Sequence, residues 1–362
     1  MSLLSNSQSD RVIHLLQSLI RFPSLSLQET EMVDWLQGEV ASTGLLEVER
    51  FGDNILFHLG QGRPWLLLNS HSDVVPPNSD YQGDPFEPII HDGKIFGRGS
   101  TDAKGSVAAM ITALLELAEE GGLARGRASF ALTVCEETAG AHNGMHALRQ
   151  LIEIPDAAIV GEPTSLQPCI AQKGLLIVKL VVKGTGGHAA RIYEDNALYK
   201  MGAVLDKLAT IIFEVSNPYV GEVKITPTML QGGIVKNMTP DRCELIIDIR
   251  TIPEVPQAII LNTFKDHLDA EVEVLSDRFK PTYTPESEKI AQAAQQASGG
   301  TFFGSPTASD WVFLADIPTV KIGPGHSEQS HTRDESIEIA QLTRGVEVYK
   351  NIIKHYLAED RI

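Results

Sequence analysis

Five segments of this 362-residue chain end an apolar run or a tight turn on residues able to hold a metal or a proton. Trp65-Leu66-Leu67-Leu68 runs into Ser70-His71-Ser72-Asp73, and Gly97-Arg98-Gly99 leads to Asp102. Ala128 to Cys135 runs into Glu136-Glu137, and Ala157 to Val160 into Gly161-Glu162. Thr319 to Ile322 runs into Gly323-Pro324-Gly325-His326, with His331 five residues on. Each has a plain structural reading when taken singly. Asp102 is placed to cap a helix, Glu162 before a proline suits a turn, and Glu136-Glu137 suits a solvated loop. Their coincidence is what points to chemistry. Two histidines and three carboxylates suit two zinc ions, provided that one carboxylate bridges them.

The residue types then suggest roles. Imidazole nitrogen and carboxylate oxygen bind zinc at about 2.0–2.2 Å, and a catalytic site keeps a position open for water. The same donors accept cobalt or manganese. Asp73 lies two positions after His71, on the same side of a continuing strand. There it would accept the second imidazole N–H and fix the tautomer. Adjacent Glu136 and Glu137 face opposite ways on a regular strand, so a turn is expected. One would bind metal while the other accepts a proton and passes it to a leaving amine. A closed, structural zinc site is disfavoured, because such sites are often Cys-rich and no cysteine falls in the cluster.

The elements that must position these residues are legible as hydrophobic periods. Val12, Leu15, Leu16 and Leu19 form a helical stripe that stops before Pro23. Ser26 and Glu29 have capping-box spacing ahead of a helix bearing Val33, Leu36 and Val40. Pro88 to Phe96 reads as a hairpin turning at Asp92-Gly93, and Val107 to Ala118 as an amphipathic helix. Strands alternating with helices indicate an α/β sheet, in which ligands gather at the carboxyl ends of strands. From Gly174 the pattern changes to strand, helix, two strands, helix, strand: a ferredoxin-like βαββαβ unit with Asp195 expected to cap its first helix. The expected organisation is a discontinuous α/β domain, residues 1–173 and 283–362, with a smaller α+β domain, 174–282, inserted in it.

Composition narrows the function classes. A net charge of −17 disfavours nucleic acid as a partner. No apolar run approaches the roughly 18 residues that span a bilayer. Three dispersed cysteines give no disulfide framework. The start of the chain lacks a basic segment followed by an apolar stretch. A cytoplasmic protein acting on a small molecule is expected.

Asn69-Ser70-His71-Ser72-Asp73-Val74-Val75-Pro76, Gly97-Arg98-Gly99-Ser100-Thr101-Asp102-Ala103-Lys104-Gly105, Glu136-Glu137-Thr138-Ala139-Gly140 and Gly161-Glu162-Pro163-Thr164-Ser165 resemble the two-zinc metallopeptidase family of acetylornithine deacetylase, succinyl-diaminopimelate desuccinylase and related carboxypeptidases. The resemblance implies that His71 and Glu162 hold one zinc, that Glu137 and His331 hold the other, and that Asp102 bridges them with a cis peptide after it. It implies Glu136 as general base and then acid. It implies an inserted dimerisation (lid) domain of a homodimer. His188, in Gly184-Thr185-Gly186-Gly187-His188, would reach the partner's site and steady the oxyanion. Asn237 and Arg250 would grip the substrate carboxylate. Ser70 stands where relatives often have Gly, and Ala103 where Met is common. Ser305-Pro306-Thr307-Ala308-Ser309-Asp310 and Ile322-Gly323-Pro324-Gly325 look nearest to deacylases of N-acylated ornithine or citrulline, such as N-acetylornithine, N-acetylcitrulline or N-succinylornithine in arginine biosynthesis. A succinyl-diaminopimelate desuccinylase, a metallo-carboxypeptidase or dipeptidase, and a non-catalytic binding protein are the alternatives.

Overall fold

The structure, a computed structural model, describes residues 8–81, 83–138, 142–191 and 194–359. Ala139 and Gly140, the end of the Glu136 motif, lie outside them. Two compact units are present: Met1–Ile170, Thr284–Phe303 and Ser309–Ile362 in one, Ala171–Tyr283 and Gly304–Ala308 in the other.

The first unit is built on a mixed sheet. Its strands run in the order Glu47–Phe51, Asn54–Gly60, Arg127–Thr133, Trp65–His71, Ala157–Val160, Thr319–Lys321. The last four of these strands are parallel to one another, and the first two pair antiparallel. Trp65–His71 is buried along its whole length, Ala157–Val160 likewise, and Arg127–Thr133 from its second residue. Hence these strands read as continuous apolar runs and not as alternations. Helix Lys104–Glu119 is buried over nearly its whole length. It packs with Gln8–Ile20 and Ile339–Leu357. The parallel strands all deliver their carboxyl ends to one edge, where the segments after His71, Thr133 and Val160 emerge together.

A separate three-stranded sheet joins Ile89–His91, Lys94–Phe96 and Ser336–Glu338. Its hairpin turns at Asp92 and Gly93, both with positive φ, the backbone that Asp-Gly supplies most readily. Ile337 pairs with Ile95, which brings a late segment of the chain against the Gly97-to-Asp102 turn.

The second unit is a four-stranded antiparallel sheet in the order Lys224–Gly232, Arg242–Thr251, Gly174–Lys183, Glu271–Phe279. Strand Gly174–Lys183 is buried at every second residue along most of its length, and Arg242–Thr251 throughout. Their inward face packs on helices Ala197–Leu208 and Gln257–His267 through Leu176, Val178, Leu180, Ile247, Met201 and Phe264. That is the ferredoxin-like arrangement. No helix among the described residues is long and apolar enough to cross a membrane.

Three local expectations are corrected. Ser26 and Glu29 form no capping box. Helix Thr30–Thr43 starts after Glu29 without a side-chain cap, because both residues are engaged elsewhere: Ser26 Oγ donates to Asp73 and Glu29 accepts from Cys135 N. Asn196, and not Asp195, caps helix Ala197–Leu208 by accepting from Leu198 N. Asp195 takes Thr185 and Lys200 instead. Finally, Asp102 caps nothing: Ala103 occupies the N-cap position of Lys104–Glu119, with no side-chain cap.

Candidate active site

His71 ends its strand with a side chain only 2% exposed. Its Nε2 lies 3.3 Å from Asp102 Oδ1 and 4.0 Å from Glu162 Oε1. On the other side of the same aspartate, His331 Nε2 lies 3.5 Å from Asp102 Oδ2 and 3.0 Å from Glu137 Oε1. Two donor groups result, His71–Asp102–Glu162 and Asp102–Glu137–His331, and within each the ligand atoms lie within 4.8 Å of one another. Asp102 is common to both and turns one oxygen to each. The Asp102–Ala103 peptide is cis. His331 is half exposed at 50% while its neighbours are nearly enclosed, so the site opens to solvent on that side.

The scaffold beneath is polar and closely paired. Asp73 is fully buried. Its Oδ1 accepts from Glu136 N at 2.9 Å, and its Oδ2 from Glu137 N at 3.1 Å and Ser26 Oγ at 2.7 Å. His71 Nδ1 is 3.0 Å from the Asp73 main-chain oxygen but 3.5 Å from its carboxylate. The hydrogen bond that orients the ring therefore goes to the backbone, and the carboxylate holds the two-glutamate turn. Glu29 Oε1 accepts from Cys135 N at 2.9 Å, which fixes the entry to that turn, where Cys135 adopts a positive φ. His331 also has positive φ. Such non-glycine residues cost about 1–3 kcal/mol each and concentrate at functional sites.

Electrostatics follow from packing carboxylates into a largely buried corner. Burial pushes Glu136 well above the usual carboxylate range; the Glu162, Asp310 and Glu137 charges add to it, and His71 opposes it. Glu162 is pushed up to about 8, by burial first and by Asp102 next. His71 and His331 are both held above the usual imidazole value. Burial works against this at His71, but the nearby Asp102 and Asp73 carboxylates overcome it; at His331 the Glu137 hydrogen bond leads. Carboxylates outnumber imidazoles in this corner, and protons and cations compete for the same oxygens and nitrogens.

The donors fit divalent metal. Ligand atoms about 2.1 Å from one ion at tetrahedral angles lie about 3.4 Å apart, and the four histidine–carboxylate separations here run from 3.0 to 4.0 Å. The set is imidazole and carboxylate alone, as catalytic zinc sites commonly have.

Of the remaining candidates, the second unit brings two together. His188 pairs with Met238 across a short antiparallel ladder, and Ala189 N donates to the carbonyl of Asn237. His188 is exposed, its Nδ1 accepting from Ala190 N. Arg250 is placed elsewhere. It sits near the end of strand Arg242–Thr251 remote from Arg242, whose partner Lys183 precedes the His188 segment. Eight residues of extended chain separate Arg242 from Arg250, about 26 Å. Its guanidinium is engaged by Asp248 at 2.9 and 3.2 Å. His326 is held between Ser165 Oγ and Gln341 Nε2, at 2.7 and 2.8 Å.

Two buried acids are given no role by the sequence pattern, although Asp310 closes the Ser305-to-Asp310 segment quoted above. Asp310 accepts from Thr133 Oγ1 and Asn143 Nδ2, and burial pushes it up to about 6. Glu335 lies four residues beyond His331 and is fully buried. Its only sequence signal is an acid directly ahead of a short strand.

The comparisons with known proteins bear on the family and the fold. The model of peptidase family M20/M25/M40 matches residues 67–355. A succinyl-diaminopimelate desuccinylase of Wolbachia pipientis is 28% identical, over 95% of this chain and 93% of its own. An acetylornithine deacetylase of Pectobacterium carotovorum is also 28% identical, over 95% and 97%. Among solved structures, aminopeptidase PepT of Bacillus cereus aligns with a TM-score of 0.76 at 20% identity, over 96% of this chain and 98% of its own. The Bacillus subtilis YXEP protein, described as a dinuclear metal-binding peptidase of family M20, aligns with a TM-score of 0.74 at 17% identity, over 97% and 98%. The chain belongs to peptidase family M20/M25/M40 and is a metal-dependent hydrolase of amide bonds.

Proposed function

We propose that the chain hydrolyses the amide bond of a small N-acylated amino acid, N-acetylornithine or a close analogue such as N-acetylcitrulline or N-succinylornithine, in the cytoplasm. The observation that carries this reading is the split of Asp102 between the two donor groups with Glu136 in the adjoining turn. His71 and Glu162 would hold one cation, Glu137 and His331 the other, and Asp102 both. Zinc is the expected metal, with cobalt or manganese admissible. Two such ions, when bound, supply a Lewis acid for the scissile carbonyl and a water that ionises near neutral pH.

The protein's own residues do the rest. Glu136 is not among the donor groups. Burial raises its affinity for a proton, so its carboxylate is suited to take a proton from the attacking water and give it to the departing amine. Asp73 holds the Glu136 and Glu137 amides at fixed positions, which keeps base and ligand in register. In the second unit, His188 and Asn237 are presented side by side on exposed backbone. His188 is read as the group that steadies the oxyanion in a partner's site, and Asn237 and Arg250 as the groups that receive the substrate carboxylate. For Arg250 this requires exchange of its Asp248 contact for the substrate and, since it lies at the far end of its strand from the His188 segment, that Asn237 and Arg250 reach the carboxylate from different copies of the unit.

The desuccinylase reading stands beside it, since relatives of both names are equally similar at 28% identity. Amine release by a zinc-loaded sample decides between them. N-acetylornithine, N-acetylcitrulline, N-succinylornithine, N-succinyl-diaminopimelate and a few dipeptides are offered at neutral pH. Fast turnover of an acylated ornithine or citrulline supports the first reading; turnover of the diaminopimelate derivative alone replaces it. Glu136→Gln is expected to lower kcat by about 10²–10⁴-fold while cation binding persists. A variant with kcat near that of the parent would remove Glu136 from the mechanism.

A further inference from the structure

Glu335 is buried to 0% exposure, yet it carries a carboxylate. A carboxylate offers about four acceptor sites, and here four donors meet it. Arg98 Nη1 and Gly99 N donate to Oε2 at 2.8 and 2.9 Å, and Thr101 N and Asp102 N both donate to Oε1 at 3.0 Å. Its acceptor capacity is filled, which leaves none for a cation. All four donors lie in one five-residue turn, Arg98 to Asp102. The last of them is the amide of the residue that both donor groups share.

The neighbouring contacts tighten the same turn. Glu335 O accepts from Gly97 N at 3.1 Å, and Ser336 O accepts from Thr101 Oγ1 at 2.7 Å. Lys104 N closes it by donating to Gly99 O. Gly99 has φ +81°, and a Cβ there would meet Val74 Cγ1 at 2.5 Å, so the backbone comes close where only glycine fits. The segment that provides the clamp also carries His331, four residues earlier. One loop thus delivers a donor to the second group and fixes the residue common to both.

Resting on the two-cation reading of the site, we propose that Glu335 is the positioning residue of the shared carboxylate: it holds the Asp102 backbone so that one oxygen faces each group. A residue with that task governs cation affinity more than it governs fold. Replacing it by Gln keeps the shape but supplies one oxygen where four donors need two, and sets an NH₂ against N–H groups. Changes to groups that orient ligands typically cost about 10–100-fold in metal affinity.

The test uses the full chain. Wild type, Glu335→Gln, Glu335→Asp and a control, Arg11→Met, which loses a buried-to-surface ion pair with Glu119 elsewhere in the same unit, are stripped of metal. Each is checked for fold by far-ultraviolet circular dichroism and titrated with Co²⁺ against a chromophoric chelator. The expected result is folded Glu335→Gln binding both cations about 10–100-fold more weakly, with an altered Co²⁺ absorption band. Glu335→Asp should fall between it and wild type, and Arg11→Met should bind as wild type does. Folded Glu335 variants with affinity within threefold of wild type would overturn the proposal, as would an equal loss in the Arg11 control. Failure of both Glu335 variants to fold would also overturn it, by assigning the residue to the fold alone. If wild type itself binds no pair of cations, the reading of the site fails first and this inference with it.

Discussion

Asp102 gives its Oδ1 to the His71 side and its Oδ2 to the His331 side, so the two oxygens are not interchangeable with an oxygen and an amide nitrogen. Asn in its place offers one lone-pair donor, since the NH₂ end cannot ligate. Asp102→Asn is therefore expected to keep one cation per chain and lose the other, with kcat falling at least 100-fold. Metal analysis after gel filtration gives the stoichiometry; two tightly held ions in the variant would refute the bridging role. His71, the Glu136-Glu137 pair and Glu162 were legible as candidates because parallel strands of buried residues deliver their ends to one edge; Asp102 and His331 lie in loops, and their roles, like the choice of Glu137 over Glu136, came from the family resemblance. Asp73 was legible as part of the site but not in its contact. Its carboxylate is drawn to the amides of Glu136 and Glu137, two strong donors that no spacing rule places there. Glu335 was illegible because its four partners are more than 230 residues away.

Helices and strands were read from apolar period wherever one face decides the burial, as along Gly174–Lys183 or Thr30–Thr43; Lys104–Glu119, expected as amphipathic, is instead buried on all faces. Helix starts were read less well, because the polar residues that look like caps are spent on tertiary contacts. Ser26 serves Asp73, and Glu29 serves Cys135. The C-terminal helix illustrates a second limit. Lys350 lies on Ile339–Leu357 with 6% of its side chain exposed, and its Nζ is 2.7 Å from both Glu116 and Glu120 of the Lys104–Glu119 region. A pattern of apolar residues gives no hint of such a buried cation. Removing one partner of a buried pair leaves the other uncompensated, at a cost of about 3–5 kcal/mol. Lys350→Met should lower stability by that order in urea unfolding, and the double variant Lys350→Met/Glu116→Met should recover most of it. No recovery would mean that the cost is packing and not charge. The sign with pH is also fixed. Glu120 is held below the usual carboxylate range by Lys350 and then Lys354. Its contribution is thus present above the unfolded carboxylate pKa and lost as pH falls through the lower folded value. In Lys350→Met that acid-side loss should shrink.

Whole-molecule behaviour turns on the second unit, for which a homodimer is the proposal. Lys224–Gly232 is an edge strand of its sheet. It leaves Met229 and Leu230 62% and 55% exposed, with Ile234 81% exposed just beyond. An unpaired apolar edge is a template for a second chain, and His188 in the same unit acts, in the proposed mechanism, on a partner's site. Each copy carries a net charge of −17. Association must therefore overcome like-charge repulsion, which salt screens over a Debye length of about 8 Å at physiological ionic strength. Sedimentation equilibrium should give a dimer whose dissociation constant falls as salt rises from roughly 10 to 150 mM. Leu230→Glu/Ile234→Glu adds two negative charges to the edge and should yield a monomer. If His188 works in trans, that monomer binds two cations as the parent does but loses turnover, and His188→Ala in the intact dimer loses turnover to a similar degree. The two defects should not add when combined, since both remove one group from the same site. A monomer with full activity would take His188 out of the partner's site and leave the edge strand to some other contact.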